Sequence, residues 1–181
     1  MLCAAILVGG QSRRMGRPKA LVEVNGIPLV EQIAQVLSPF CFQVVAVGPR
    51  ELAASIPAVQ DLYPGDGPLG ALLSALEARP EGCDRMVVVA CDLINIEAAV
   101  IKALLAADLD HIDAVIAHTD RIQPLCGLWN PACRPILQTA FDAGERSMNG
   151  VIKSLAIVYV PIDANLLVNV NTPDDLYQAQ K

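Results

Sequence analysis

Aromatic side chains are scarce in this sequence, 4% of its 181 residues, so a folded core must be built from Val, Leu, Ile and Ala. Such a core favours buried parallel strands covered by helices over a sandwich or a barrel. Charged residues are also few, 18% against 54% hydrophobic, and the mean hydropathy of +0.44 excludes a disordered chain. Positive charge in bulk is missing. Thirteen basic against nineteen acidic side chains leave a net charge of −6 and a pI near 4.8, which argues against a general nucleic-acid or anionic-membrane binder. No apolar run reaches the roughly 18 residues of a membrane-spanning helix. The apolar start from Met1 to Val8 is followed, not preceded, by basic residues, the reverse of a secretory signal. The six cysteines (Cys3, Cys41, Cys83, Cys91, Cys126, Cys133) contain no C-x-x-C pair, so neither a metal knuckle nor a redox dithiol is expected. Several sit inside apolar runs and read as small buried hydrophobes of a reduced, cytoplasmic protein.

What is present is an alternation of strand-like and helix-like patterns from end to end, with no repeat and no long linker. The length predicts one domain over residues 1–181, able to bury about 70% of the surface of the unfolded chain. Strands are expected at Leu2 to Val8, Val44 to Val47, Met86 to Ala90, Ala114 to Ala117, Leu125 to Trp129, Ile157 to Val160 and Leu166 to Val170. Between them, Pro28 opens one helical stripe and Pro68 a second, with Leu69, Leu72, Leu73 and Leu76 on one face. Further helices are expected over Ile96 to Leu105, about 131 to 142 and 147 to 154, and after Thr172-Pro173-Asp174-Asp175. This alternation predicts an α/β three-layer sandwich around a mostly parallel sheet. Ligands of such sheets lie beyond the carboxyl ends of the strands, which directs attention to the residues after Val8, Ala90 and Val170.

The first of these stretches is Gly9-Gly10-Gln11-Ser12-Arg13-Arg14-Met15-Gly16-Arg17-Pro18-Lys19. It joins three glycines to three arginines and a lysine, with no carboxylate. Glycines let backbone amides approach an anion, and Arg and Lys add charge-assisted bonds to phosphate. The spacing is neither G-x-G-x-x-G nor G-x-x-x-x-G-K-[ST], and Ala20 stands where the latter needs a hydroxyl for magnesium. A nicotinamide dehydrogenase is disfavoured on that ground.

Leu7-Val8-Gly9-Gly10-x-Ser12-x-Arg14-Met15-Gly16-x-x-Lys19 resembles the signature of molybdenum cofactor guanylyltransferases, a nucleotidyltransferase family. Four later segments are similar to that family in the same order: Gly67-Pro68-Leu69-Gly70, Cys91-Asp92, Gln123-Pro124-Leu125 and Asn169-Val170-Asn171-Thr172-Pro173. Ala143-Gly144-Glu145-Arg146 matches more weakly. The resemblance implies a Rossmann-like nucleotidyltransferase fold of the nucleotide-diphospho-sugar transferase type. It also implies transfer of GMP from GTP, with Mg2+, to the phosphate of molybdopterin or molybdenum cofactor, with release of pyrophosphate. By the same resemblance Leu7, Gly9, Gly10, Ser12, Arg13, Gly16, Lys19, Gly67, Pro68 and Asp92 would bind the nucleotide. Gln123, Pro124, Asn169 and Asn171 would bind the acceptor. Lys19, Arg14 and Asp92 would be catalytic, with Asp92 the metal ligand.

The attacking group is itself a phosphate, mostly dianionic near neutral pH because its second pKa is about 6. No side chain need take its proton, so alignment and charge neutralisation suffice. Two histidines, His111 and His118, lie outside every matched segment and are read as ordinary residues. Asp61 and Asp66 are read as solvated. One departure stands out: relatives commonly carry Pro two positions after the aspartate, and this chain has Ile94.

Leu7-Val8-Gly9-Gly10 resembles the Leu-Ala-Gly-Gly of guanylyl members, with Val where Ala is usual, rather than the Leu-Ala-Ala-Gly of cytidylyl members. The resemblance implies GTP, and the missing methyl at Gly9 would leave room for a purine, one methyl discriminating by about 1–3 kcal/mol. A CTP-using cytidylyltransferase is the rival within the class, and a non-catalytic nucleotide-binding relative the rival outside it. A molybdoenzyme or chaperone partner is compatible with the resemblance, whereas nucleic acid and membrane are not expected.

Overall fold

The computed structural model describes residues 1–9, 18–108, 110–169 and 175. Its first half runs β1 (Leu2–Leu7), β2 (Glu23–Val24), β3 (Ile27–Pro28), α1 (Leu29–Leu37), β4 (Gln43–Val47), β5 (Ala58–Val59), α2 (Gly67–Glu77) and β6 (Arg85–Ala90). Then follow β7 (Leu93–Ile94), α3 (Ala98–Leu105), β8 (Ala114–His118), β9 (Ile122–Trp129), α4 (Arg134–Asp142), α5 (Met148–Val151), β10 (Ile157–Pro161) and β11 (Val168–Asn169). Single 3-10 turns fill several joints, among them Lys19–Leu21.

Seven strands form one sheet in the order β10-β8-β9-β6-β1-β4-β5. Every neighbouring pair is parallel except those made by β9, which runs against both β6 and β8. The period-2 alternation of strand side chains divides the core in two. Ala4, Ile6, Val87, Val89, Val115 and Leu128 face α1 and α3. Ala5, Leu7, Val88, Ile116 and Trp129 face α2, α4 and α5. Both faces are covered, so the strands are apolar on both sides, and that is why they read as continuous runs.

Most strand and helix positions agree with the sequence expectations, but the two-residue strands β2, β3, β5 and β7 were not among them, and two expected strands have other bounds. The strand expected from Leu125 begins at Ile122. Gln123 and Pro124 lie in it beside a register shift opposite Ile116 and Ala117. A proline, which has no N–H to give the ladder, is tolerated at such an irregularity. The late strand expected over Leu166 to Val170 starts later, as β11 behind a 3-10 turn, Ala164–Leu166, and Val170 lies outside the described residues. The two-residue β7 has no periodic signal and exists because it pairs antiparallel with β11. The helix start expected at Thr172 lies outside the described residues.

Candidate active site

Leu7 on β1 pairs with Ala90 on β6, so the two central strands end side by side. Beyond them the chain turns into Val8-Gly9 and Cys91-Asp92, held by Cys91 N–H donating to Leu7 O (3.1 Å) and Val8 N–H to Val47 O (3.0 Å). Because β9 runs the opposite way, its beginning rather than its end reaches the same edge. Gln123, Pro124 and Leu125 thereby come to the site from a strand of reversed polarity.

A cleft of about 750 Å³ opens at this edge, walled by Leu7, Gly9, Lys19, Asp61, Gly67 and Asp92 among others. A second cavity of about 700 Å³ adjoins it, with Arg121, Gln123, Arg146, Asn149 and Asn169 in its wall. Pro68, Ala90, Asp92 and Leu125 belong to both walls, so Asp92 stands where the two spaces meet.

Lys19 and Asp92 face each other across the cleft. Lys19 Nζ donates to Asp92 Oδ2 at 3.4 Å, with the side chains 16% and 29% exposed. Both remain accessible to a ligand, which distinguishes the pair from a buried structural bridge. Asp92 is also not the cap of the following helix: the residue at that position of α3 is Glu97. The neighbouring Cys91 thiol is pushed up to about 12 by burial, with the Asp92 carboxylate adding to the shift. It is therefore a packing residue and no nucleophile.

Asp61 is not solvated as the sequence reading expected. It is half-buried in the cleft wall. Its Oδ1 accepts from Tyr63 N–H (3.0 Å) and from the Ser74 hydroxyl (2.8 Å), while Oδ2 would lie 3.7 Å from a methyl placed on Gly9. A signal was present in the sequence: Ser74 interrupts the apolar face of α2 and is 1% exposed, and a buried hydroxyl needs a partner. Asp66 is exposed as expected and lies 3.6 Å from Arg146 Nε.

Gly67 and Pro68 open α2. Gly67 has φ +80°, and a side chain there would meet Arg146 O at 3.3 Å. Gly70 is required by space: its absent Cβ would lie 2.8 Å from Tyr63 Cβ and 3.3 Å from Tyr63 O. Arg146 is locked by bonds from its guanidinium to Phe141 O and Glu145 O (2.6 and 2.8 Å) and by stacking over the Phe141 ring (3.8 Å). Of the expected site residues, the structure brings Leu7, Gly9, Lys19, Gly67, Pro68 and Asp92 to the cleft. It brings Gln123, Pro124 and Asn169 to the adjoining cavity. Gly10, Ser12, Arg13, Arg14, Gly16 and Asn171 lie outside the described residues. His118 contacts Tyr159 edge-on and His111 is an exposed turn residue, both away from the cleft wall.

A magnesium ion commonly takes one or two carboxylates and fills its shell with water and substrate phosphates. Among the described residues no three His, Cys, Asp or Glu side chains are grouped to cage a metal. The accessible Asp92 carboxylate, standing where the two cavities meet, fits an ion that arrives with a triphosphate better than a resident all-protein site.

Solved structures share this architecture across nearly their whole lengths. The molybdopterin-guanine dinucleotide biosynthesis protein A of Archaeoglobus fulgidus is 29% identical, with a TM-score of 0.81 over 98% of this chain and 96% of that one. The 4-diphosphocytidyl-2C-methyl-D-erythritol synthase of Anaerococcus prevotii, at 11% identity, has a TM-score of 0.79 and shares the fold. Fold and family together define a nucleotidyltransferase. The sequence pattern described as a MobA-like NTP transferase domain matches residues 4–158. A probable molybdenum cofactor guanylyltransferase of Synechococcus elongatus is 33% identical over 95% of this chain and 94% of its own length. One of Bacillus cytotoxicus is 29% identical over 94% and 92%. The chain belongs to the MobA-like NTP transferase family.

Proposed function

We propose that this enzyme transfers GMP from GTP to the terminal phosphate of molybdopterin or molybdenum cofactor, releasing pyrophosphate. The observation that carries the reading is the Lys19–Asp92 pair, 3.4 Å apart where two cavities of similar size meet. A donor nucleotide in the first cavity and an acceptor phosphate in the second would bring their reacting atoms together beside that pair.

In this reading Lys19 offsets the negative charge that builds on the α-phosphate and the departing pyrophosphate, helped by Arg14 and the amides of the glycine loop. Asp92 would hold Mg2+, which supplies charge neutralisation and orientation of the phosphates when bound. Gly67 and Pro68 would border the nucleoside. Gln123, Pro124, Asn169 and Asn171 would align the acceptor, with Arg146 locked behind them. The acceptor phosphate attacks as a dianion, so no general base is required.

Base preference follows from Gly9 and Asp61. A side chain at position 9 would project toward Asp61 Oδ2, into the space a base would fill. Oδ2, which makes no hydrogen bond among the described residues, can accept them, and guanine presents two adjacent donors (ring N–H and amino) to a carboxylate, where cytosine presents only its amino group. The test is thermal stabilisation of the protein by GTP or CTP with magnesium, followed by pyrophosphate release on adding molybdopterin. Greater stabilisation by GTP and acceptor-dependent release are expected. Preference for CTP would overturn the choice of base, and absence of acceptor-dependent release would overturn the reaction.

A further inference from the structure

The segment that presents Asp92 is anchored from two sides. Successive strand residues point to opposite faces, so on β7 Leu93 joins the core layer of α1 and α3 while Ile94 turns the other way. There Ile94 packs in a third apolar cluster with Val22 and Leu29, all three buried, and with Val24 and Val168 against them. Its members belong to the three stretches that carry the site. Val22 N–H bonds back to Lys19 O at 3.0 Å, Ile94 lies two residues beyond Asp92, and Val168 directly precedes Asn169. The ladder repeats the connection, with Ile94 opposite Val168 and Leu93 opposite Asn169.

We infer that Ile94 is a positioning residue: seated in this cluster, its side chain sets the mutual spacing of Lys19, Asp92 and Asn169, and so the alignment of the two cavities for transfer. The inference rests on the nucleotidyl-transfer reading above for its kinetic consequence, although the mechanical link stands on geometry alone. A cluster that ties three loops together costs little in binding when loosened, because each loop still offers its groups to a ligand. It costs much in rate, because misplacement of reacting groups by 1 Å can cost about 10²-fold.

The experiment compares Ile94→Ala, Ile94→Val and Leu104→Ala, the last a fully buried leucine of α3 outside this cluster. All are assayed at a temperature where each is folded. Ile94→Ala is expected to lower kcat about tenfold or more while KM for GTP stays within about threefold, and Ile94→Val to recover most of the rate. Leu104→Ala should keep kcat near the wild-type value despite a comparable cavity. Amide exchange supplies a readout free of activity: in Ile94→Ala it should quicken together at residues 22–24, 93–94 and 168–169, and in Leu104→Ala at none of them. If Ile94→Ala does not fold, Val168→Ala, at a half-buried partner position, replaces it with the same expectations. Equal kcat losses in the Ile94 and Leu104 variants, an unchanged kcat, or faster exchange confined to 93–94 would overturn the inference. A wild-type protein without GTP-dependent transfer would overturn the proposed function instead, and the exchange pattern would still decide the role of Ile94.

Discussion

Lys19 and Asp92 are 73 positions apart in the chain and 3.4 Å apart in space, and their substitutions should separate binding from chemistry. Removing one preorganised charge at the reacting centre costs about 10²–10³ in rate. Lys19→Ala should therefore slow pyrophosphate release by about that factor and also weaken triphosphate binding, since the ammonium would touch the phosphates in the ground state. Asp92→Asn should abolish turnover while leaving much of the metal-free triphosphate affinity, measured by calorimetry with and without magnesium. Retained turnover in Asp92→Asn would remove this residue from the mechanism. Gly9→Ala addresses the base: the new methyl would sit 3.7 Å from Asp61 Oδ2. It should shift the GTP-to-CTP discrimination toward CTP by about 1–3 kcal/mol in competition assays. An unchanged ratio would place the base elsewhere.

Helix α2 shows how an element serves both the core and the cleft. Leu69, Leu72, Leu73 and Leu76 are fully buried against the sheet. On the same helix Ser74 grips Asp61 and the Leu62 amide (2.8 and 2.9 Å), and Gly70 lets the Tyr63 turn lie directly on it. Gly70→Ala would place a methyl 2.8 Å from Tyr63 Cβ, where backbone and side chain must both move. A stability loss of about 1–3 kcal/mol is expected from overpacking, read by denaturant unfolding. Nucleotide affinity should also fall, because the displaced turn carries Asp61. A variant with wild-type affinity would uncouple the turn from the nucleotide. Asp61 was hidden in the sequence for this reason: a carboxylate in a stretch rich in Pro and Gly reads as solvent-exposed until the buried Ser74, thirteen positions on, is seen to bond it.

At the scale of the whole molecule, the sparse charge is matched by neutral thiols inside. Burial pushes Cys41, Cys91, Cys126 and Cys133 up to about 12 from an ordinary 9.0. Cys83 is pushed up to about 11. Unfolding releases these thiols to ionise at their ordinary value, so above that value the unfolded chain binds fewer protons than the folded one. Stability then falls with rising pH. The contribution is complete below pH 9 and is lost progressively between about 9 and 12. A melting temperature that drops over that window is expected, and the drop should shrink in a variant carrying Cys126→Ala and Cys133→Ala. At pH 8 an alkylating reagent should modify Cys91 and Cys126 only on unfolding, as mass spectrometry of native and denatured protein would show. Rapid labelling of either in the native state would contradict the burial.

Local information determined much of this protein. The runs around Ile6 and Val88, the leucine stripe of α2 and the glycine- and arginine-rich stretch of sequence before Lys19 are patterns of neighbours, and neighbours are what hydrophobic periodicity and residue chemistry report. The mostly parallel sheet was legible for that reason, and so was the arrival of Lys19 and Asp92 at the carboxyl edge of its central strands. Tertiary structure alone decided the rest, since a strand two residues long has no period. Leu93–Ile94 becomes β7 because Val168–Asn169 lies across from it, and Gln123 reaches the cleft edge because β9 reverses the direction of its neighbours. Contacts between distant stretches depend on which surfaces the folded chain brings within a few ångströms, and no window along a sequence contains that distance.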